Sequence, residues 1–303
     1  MNSIHQNSLK SHHELYDENK VFVDVLHNYV LENFPEKYGF KTKKQKYDAK
    51  TIIIELLYIA ITGLSYKNYR GPVNAKTLNR HVIFFAQHMI FEKVYYIMHK
   101  KYLDCCPLSK LKLSSIDTSY IMNKNGKENL GRNTHFKNKN CYKVSIIVDS
   151  NGIPYSTVIV SGNQSDVKIA KINIDEIKEY TNELIDGPFM LADKMYDSKK
   201  FRQECIKKGY TPIIDYNKRN TKNIKLIKKL TKKEKSVYKK RIKVENTFCI
   251  MKKYRRIQLI YDSYFITYKS FLYLAECCMI QDYIKKPKIS NNKVSLNALK
   301  INY

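Results

Sequence analysis

Three acidic residues stand out in this chain, which has 55 Lys and Arg against 28 Asp and Glu. Asp117 lies in SSIDTSY, Asp193 in FMLADKMYDS and Glu245 in VYKKRIKVENTFCIMKKYRR. On a helical wheel turning about 100° per residue, Tyr238, Arg241, Glu245 and Lys252 fall within about 60° of one another, on a stripe roughly 21 Å long. The apolar stripe of Val237, Val244, Phe248 and Met251 lies about 90° to one side, so Glu245 borders the face that packs on the rest of its domain. Asp117 and Asp193 each close a short β-like run, and sites collect at strand ends in α/β sheets. For each Asp, a turn or helix N-cap is the competing reading. Three carboxylates brought together repel and raise one another's pKa unless a cation joins them. Hard oxygen donors select Mg²⁺ or Mn²⁺. Two such ions about 3.5–4 Å apart can activate a water or 3′-hydroxyl and stabilise a leaving 3′-oxygen, which is the chemistry of phosphodiester cleavage and transfer.

The elements that must position these acids follow from hydrophobic period. Residues 1–105 read as helical, with core-facing positions at helical spacing in Val21, Val25 and Leu26, then Ile53, Leu56, Leu57 and Ala60, then Phe84, Phe85, His88 and Met89. Asn74 is a plausible N-cap, and the helix after it is either the second helix of a helix-turn-helix or an ordinary core helix. A DNA reader and a dimerisation module both remain open for this region. The period then changes. KLSSIDTSY, CYKVSIIVDSNG and PYSTVIVSGN are β-branched runs, the last two joined by the hairpin signal Ser150-Asn151-Gly152. Helices are expected over 166–180 and 198–208, strands at PFMLAD and TPIID, and a long helix through about Arg256. Residues 106–282 therefore predict an α/β domain, a mixed sheet with flanking helices. Residues 283–303 read as a loose basic tail.

The formal net charge is +27, which points to a polyanionic partner. The most apolar runs, IIIELLYIAITGL and VIFFAQHMIF, are shorter than the roughly 18 residues a membrane span needs. The polar N-terminus lacks an apolar signal core, so an intracellular location is expected, in the cytoplasm and nucleoid or in a nucleus. Seven cysteines without a C-x-x-C suggest reduced thiols rather than a zinc or disulfide framework. The cationic stretch 218–235 is either a solvated linker or a non-specific DNA contact.

The spacing Y-x2-R-x3-E-x6-K at Tyr238, Arg241, Glu245 and Lys252, together with LADKMYDSKKFR, resembles the DDE transposases of the bacterial insertion-sequence type. Ile116-Asp117-Thr118-Ser119 is similar to the region of that family's first acid. KNCYKVSIIVDSNGIPYSTVIVSGNQSD is similar to its hairpin, ending in Gly162, Asn163 and Asp166. The resemblance spans roughly residues 50 to 282. It implies an RNase H-like fold and Asp117, Asp193 and Glu245 as catalytic ligands of two Mg²⁺ or Mn²⁺ ions. It implies phosphate binding by Tyr238, Arg241 and Lys252, and the neighbouring Lys194, Arg255 and Arg256 are further candidate DNA contacts. The implied partner is double-stranded DNA, at element ends and target, bound by a homodimer or higher assembly. Rival readings are a non-catalytic DNA-binding descendant of a transposase and a plain RNase H-like nuclease.

Met195 departs from the glycine usual in the second-acid phrase, and the chain has no tryptophan. Gly126-x4-Gly131-Arg132 lacks the side chains a P-loop needs. Asp149, Asp166 and Asp197 read as turn or capping residues, with Asp166 and Asn163 also open as groups supporting the site.

Overall fold

The computed structural model describes residues 11–39, 46–106, 111–134, 137–177, 188–217 and 229–285. The cationic stretch 218–228 and the tail from 286 lie outside the described residues. The chain divides into two compact units. One comprises Met1–Tyr102, Asn123–Glu128 and Met251–Asp282, the other Leu103–Met122, Asn129–Ile250 and Tyr283–Tyr303.

The first unit is helical. It holds α1 (His12–Glu18), α2 (Lys20–Asn33), α3 (Pro35–Tyr38), α4 (Ala49–Thr62), α5 (Ala75–Gln87) and most of α6 (Ile90–Cys105). Asn74 caps α5, its side chain accepting from the Lys76 N–H at 2.9 Å. The core includes Leu26, Leu56, Leu57, Val82 and Phe85, each essentially inaccessible.

The second unit is built on a six-stranded mixed sheet: β1 (Leu113–Met122), β2 (Gly131–Asn133), β3 (Lys139–Val148), β4 (Pro154–Ser161), β5 (Phe189–Ala192) and β6 (Thr211–Ile214). Strands β1, β3 and β4 form an antiparallel meander, and β5 and β6 extend it in parallel beyond β1. β2 pairs with Lys139–Cys141 of β3, and β4 takes the same edge from Tyr142 onward. This mixed sheet with flanking helices is RNase H-like, as the family resemblance implies.

Period-two alternation sorts the two faces. Ile116, Ile147, Met190 and Ala192 line one face, covered by α7 (Asp166–Asp175) and by α8 (Lys199–Lys207) through Phe201 and Cys205. Leu113, Phe189, Leu191 and Ile213 line the other, where Val237 of α9 (Lys232–Tyr238) packs. Asp117 has the parity of Leu113, and Asp193 that of Leu191, so both acids belong to the face that receives the later helices.

The expected long helix is interrupted. After α9 comes a 3₁₀ turn at Lys239–Arg241, then α10 (Ile242–Met251), with a separate short α11 (Arg255–Gln258) and the long α12 (Phe265–Lys285). α9 begins with a reciprocal cap between Thr231 and Glu234. Thr247 anchors α10 on the β3–β4 turn. Its hydroxyl is placed to donate to the Gly152 carbonyl at 2.8 Å and to Lys243 O at 2.9 Å. Gly152 has φ +85°, and a Cβ there would meet Thr247 Oγ1 at 2.9 Å.

Thr247→Val leaves the Gly152 carbonyl unpaired and is expected to cost about 1–2 kcal/mol. Gly152→Ala adds a strained backbone to the same crowding and is expected to cost about 1–3 kcal/mol. Urea midpoints of the two variants measure both losses, and unchanged midpoints would show that this turn does not anchor the helix.

Candidate active site on the open sheet face

Asp117 and Asp193 are neighbours because of strand register. In the parallel pairing of β1 with β5, Ile116 stands opposite Ala192. One residue further along the chain from each of these stand the two acids. Asp117 is not at a strand end as expected. It is the fifth of ten residues in β1, which runs on beside β3 where β5 has already stopped. Asp193 does follow the last residue of β5 and caps a 3₁₀ turn at Lys194–Tyr196, its Oδ1 accepting from Met195 N at 3.0 Å. Asp117 Oδ1 likewise accepts from Thr118 N at 2.8 Å. Capping thus occupies one oxygen of each Asp and leaves the other for the site.

Those other oxygens meet one guanidinium. Arg241 Nη2 lies 2.7 Å from Glu245 Oε1 and 3.9 Å from Asp193 Oδ2, and Nη1 lies 3.8 Å from Asp117 Oδ2. Only the Glu245 contact has hydrogen-bond length. The guanidinium also lies 6.0 Å from the centre of the Tyr238 ring. The structure therefore brings together Asp117, Asp193, Tyr238, Arg241 and Glu245. Burial lowers the Arg241 pKa, but Glu245, Tyr238 and Asp117 outweigh it and the net shift is upward. Burial also raises Asp117 to about 6, opposed by the Thr118 N–H and by Arg241, and reinforced by Glu245 and Asp193.

The donor set is three carboxylates, which suits a hard divalent cation. The cation now among them is the Arg241 side chain. Among the described residues no group of three or more His, Cys, Asp or Glu is gathered closely enough to hold a metal ion. Ion ligation by these acids would need them to draw closer, with the Arg241 side chain out of the way.

The other expected DNA contacts divide between the two units. Lys194 is exposed beside Asp193. Lys252 comes after the last residue of α10, half-buried, and with the exposed Arg255 belongs to the helical unit. The expected stripe through Lys252 is thus cut short. Arg256 is a correction. It is fully buried, pairs with Asp262 at 2.9 Å, donates to Leu64 O at 3.0 Å, and lies 5.1–5.2 Å from the rings of Tyr66, Tyr261 and Phe271. It holds the helical unit together and offers no charge to DNA.

Support for the acids comes from the opposite sheet face. Thr118 donates to Asp166 Oδ1 at 2.8 Å, at the start of α7. Asp166 in turn pairs at 2.9 Å with Lys143, which is buried in β3 and also donates to Gln164 O at 2.7 Å. The Tyr196 side chain is buried on this face. Asp166 thus does more than start a helix. Lys143 went unnoticed in the sequence. Its signal was a lysine inside CYKVSIIV, because a strand buried on both faces tolerates a cation only beside an acid. Asn163 accepts from Ser161 Oγ at 2.8 Å, next to the turn where Asn133 bonds Gly162 O. Met195 is absent from the residues with positive φ, so its backbone does not require the glycine usual there. Its side chain is half exposed.

The raised Asp117 pKa gives a stability prediction. The fold favours the protonated form, so this contribution is fully present below about pH 4 and lost as pH rises through about 6. Asp117→Asn keeps an acceptor for the Thr118 N–H and cannot ionise. It is expected to stabilise the ion-free protein by about 1–3 kcal/mol near pH 8 and to change little near pH 4. Melting temperatures at the two pH values check this, and an equal shift at both would contradict it.

No curated protein matches the chain. Residues 116–266 match the family model of the transposase DDE domain, a stretch that begins one residue before Asp117 and includes Asp193, Arg241 and Glu245. Through those residues the chain belongs to the transposase DDE domain family.

Proposed function

We propose that this transposase-family protein cleaves and joins DNA phosphodiester bonds at terminal inverted repeats, with Asp117, Asp193 and Glu245 as ligands for Mg²⁺ or Mn²⁺, two ions in all. The supporting observation is the convergence of these three acids, from a strand, the turn after a second strand and a helix, on the single Arg241 guanidinium. When bound, the ions would activate the attacking water or 3′-hydroxyl and stabilise the leaving oxygen. The protein's own residues do the positioning. β1 and β5 fix two carboxylates side by side, and Thr247 holds α10 so that Glu245 meets them. Thr118, Asp166 and Lys143 brace the first acid from behind. Arg241 offers a planar fork for a phosphate, and Tyr238 lies beside it.

DNA binding in this reading draws on the net charge of +27, with Lys194, Lys252 and Arg255 as backbone contacts. Two copies acting on two element ends give at least a homodimer on DNA, and the protein works where chromosomal DNA lies. No described helix is long and apolar enough to cross a membrane.

Inverted repeats flanking the reading frame, bounded by a short direct duplication, supply the substrate for the test. Asp193→Asn and Glu245→Gln are each expected to reduce Mg²⁺-dependent cleavage at least about 100-fold, as losing an ion ligand should, while both still bind the repeat. Undiminished cleavage by Asp193→Asn would refute the reading. Cleavage without end joining would leave a nuclease, and binding without cleavage a DNA-binding descendant. Lys194→Ala or Arg255→Ala is expected to weaken binding evenly across sequences and to flatten the log K against log salt plot by about 1. Titrations at several salt concentrations measure that slope.

A further inference from the structure

Arg241 is claimed twice. The proposed function gives its guanidinium to DNA phosphate and the three acids to divalent ions, yet here the guanidinium and the acids hold each other. It cannot meet both demands in one position. A divalent ion on the same carboxylate oxygens would stand within a few ångström of a fixed positive charge, in surroundings where the Arg241 side chain is only 18% exposed. If Arg241 simply left, three carboxylates would face one another uncompensated, one of them partly buried on β1.

The geometry favours an exchange over permanent pairing. The contacts with Asp117 and Asp193 are 3.8 and 3.9 Å, beyond hydrogen-bond length, so of the three acids it is Glu245 that holds the fork firmly. Arg241 is also the last residue of the 3₁₀ turn that precedes α10, whereas Glu245 lies inside the helix anchored by Thr247. The guanidinium can therefore swing on its own side-chain torsions while Glu245 stays in place.

We propose that Arg241 is the resident counter-ion of the DNA-free site and that it couples ion entry to DNA binding. The ions take the carboxylates as a backbone phosphate takes the guanidinium, so each ligand favours the other. Reciprocity follows because a coupling free energy acts equally on both partners. A protein in a cell rich in Mg²⁺ would then complete its reactive site only on DNA. This inference rests on reading the three acids as ion ligands.

The test is Mn²⁺ binding, followed by electron paramagnetic resonance on the full chain without DNA. Wild-type protein is expected to bind Mn²⁺ weakly, and Arg241→Gln about ten-fold more tightly, in the usual range for coupled sites. Arg241→Lys, which keeps a charge but not the fork, is expected to fall between them and provides a second comparison should the glutamine variant fold poorly. In the reciprocal experiment, Mn²⁺ is expected to tighten wild-type binding to a short random-sequence duplex, and to leave Arg241→Gln binding unchanged. Equal or weaker Mn²⁺ affinity in both variants would overturn the exchange and leave the ion-ligand reading intact. No Mn²⁺ bound by any of the three proteins, with or without duplex, would instead overturn the ion-ligand reading and this inference with it.

Discussion

Carboxylates held one strand apart in a partly buried place must find positive charge. That constraint organises the α/β unit. The register of β1 against β5 brings Asp117 and Asp193 together. Neither can retreat, because each is fastened by a backbone N–H to one of its oxygens. The remaining oxygens need a cation, and the chain answers with Arg241 and adds a third acid on the next turn of the same segment. The rest of the unit is arranged to keep that encounter in register: Val237 packs on the sheet, and Thr247 ties α10 to the β3–β4 turn.

A second buried charge pair lies on the opposite face of the same sheet. Lys143 and Asp166 neutralise each other, and Thr118, the residue next to the first acid, connects them to it. A buried ion pair contributes little net stability, since desolvation offsets most of its attraction. Its value lies in orientation, because an unpaired member is costly and any shift of β3 relative to α7 would break the pairing. The helical unit has its own version in Arg256, enclosed by aromatic rings and paired with Asp262 and a carbonyl. Two basic residues that look alike in the sequence, Arg241 and Arg256, thus have opposite situations. One is poised over acids at an open face, and the other is sealed in a core.

Much of this was legible in the sequence. Strand runs, the Asn-Gly turn and the period change at the start of the α/β region are local signals, and local signals follow from side-chain shape and backbone preference. The same holds for Glu245 beside an apolar stripe, because a wheel needs only spacing. The α/β class and the pairing of two β-borne acids with one helical acid were therefore expected. Element limits are less legible. Asp117 lies within its strand because β3 continues alongside it, a non-local fact, and the helix breaks at Lys239–Arg241 where no proline or glycine announces it.

What the sequence determined by itself was chemistry and period: which residues can carry charge, and which positions along an element share a face. Tertiary structure alone decided which charges are paired and which are buried. Lys143, Arg241 and Arg256 are all cations in apolar or mixed surroundings, and no local rule separates them. Their fates depend on partners 23, 124 and 6 residues away, Asp166, Asp117 and Asp262, brought close by sheet register and helix packing. Electrostatic energy depends on distance and dielectric surroundings, and neither exists until the chain has folded.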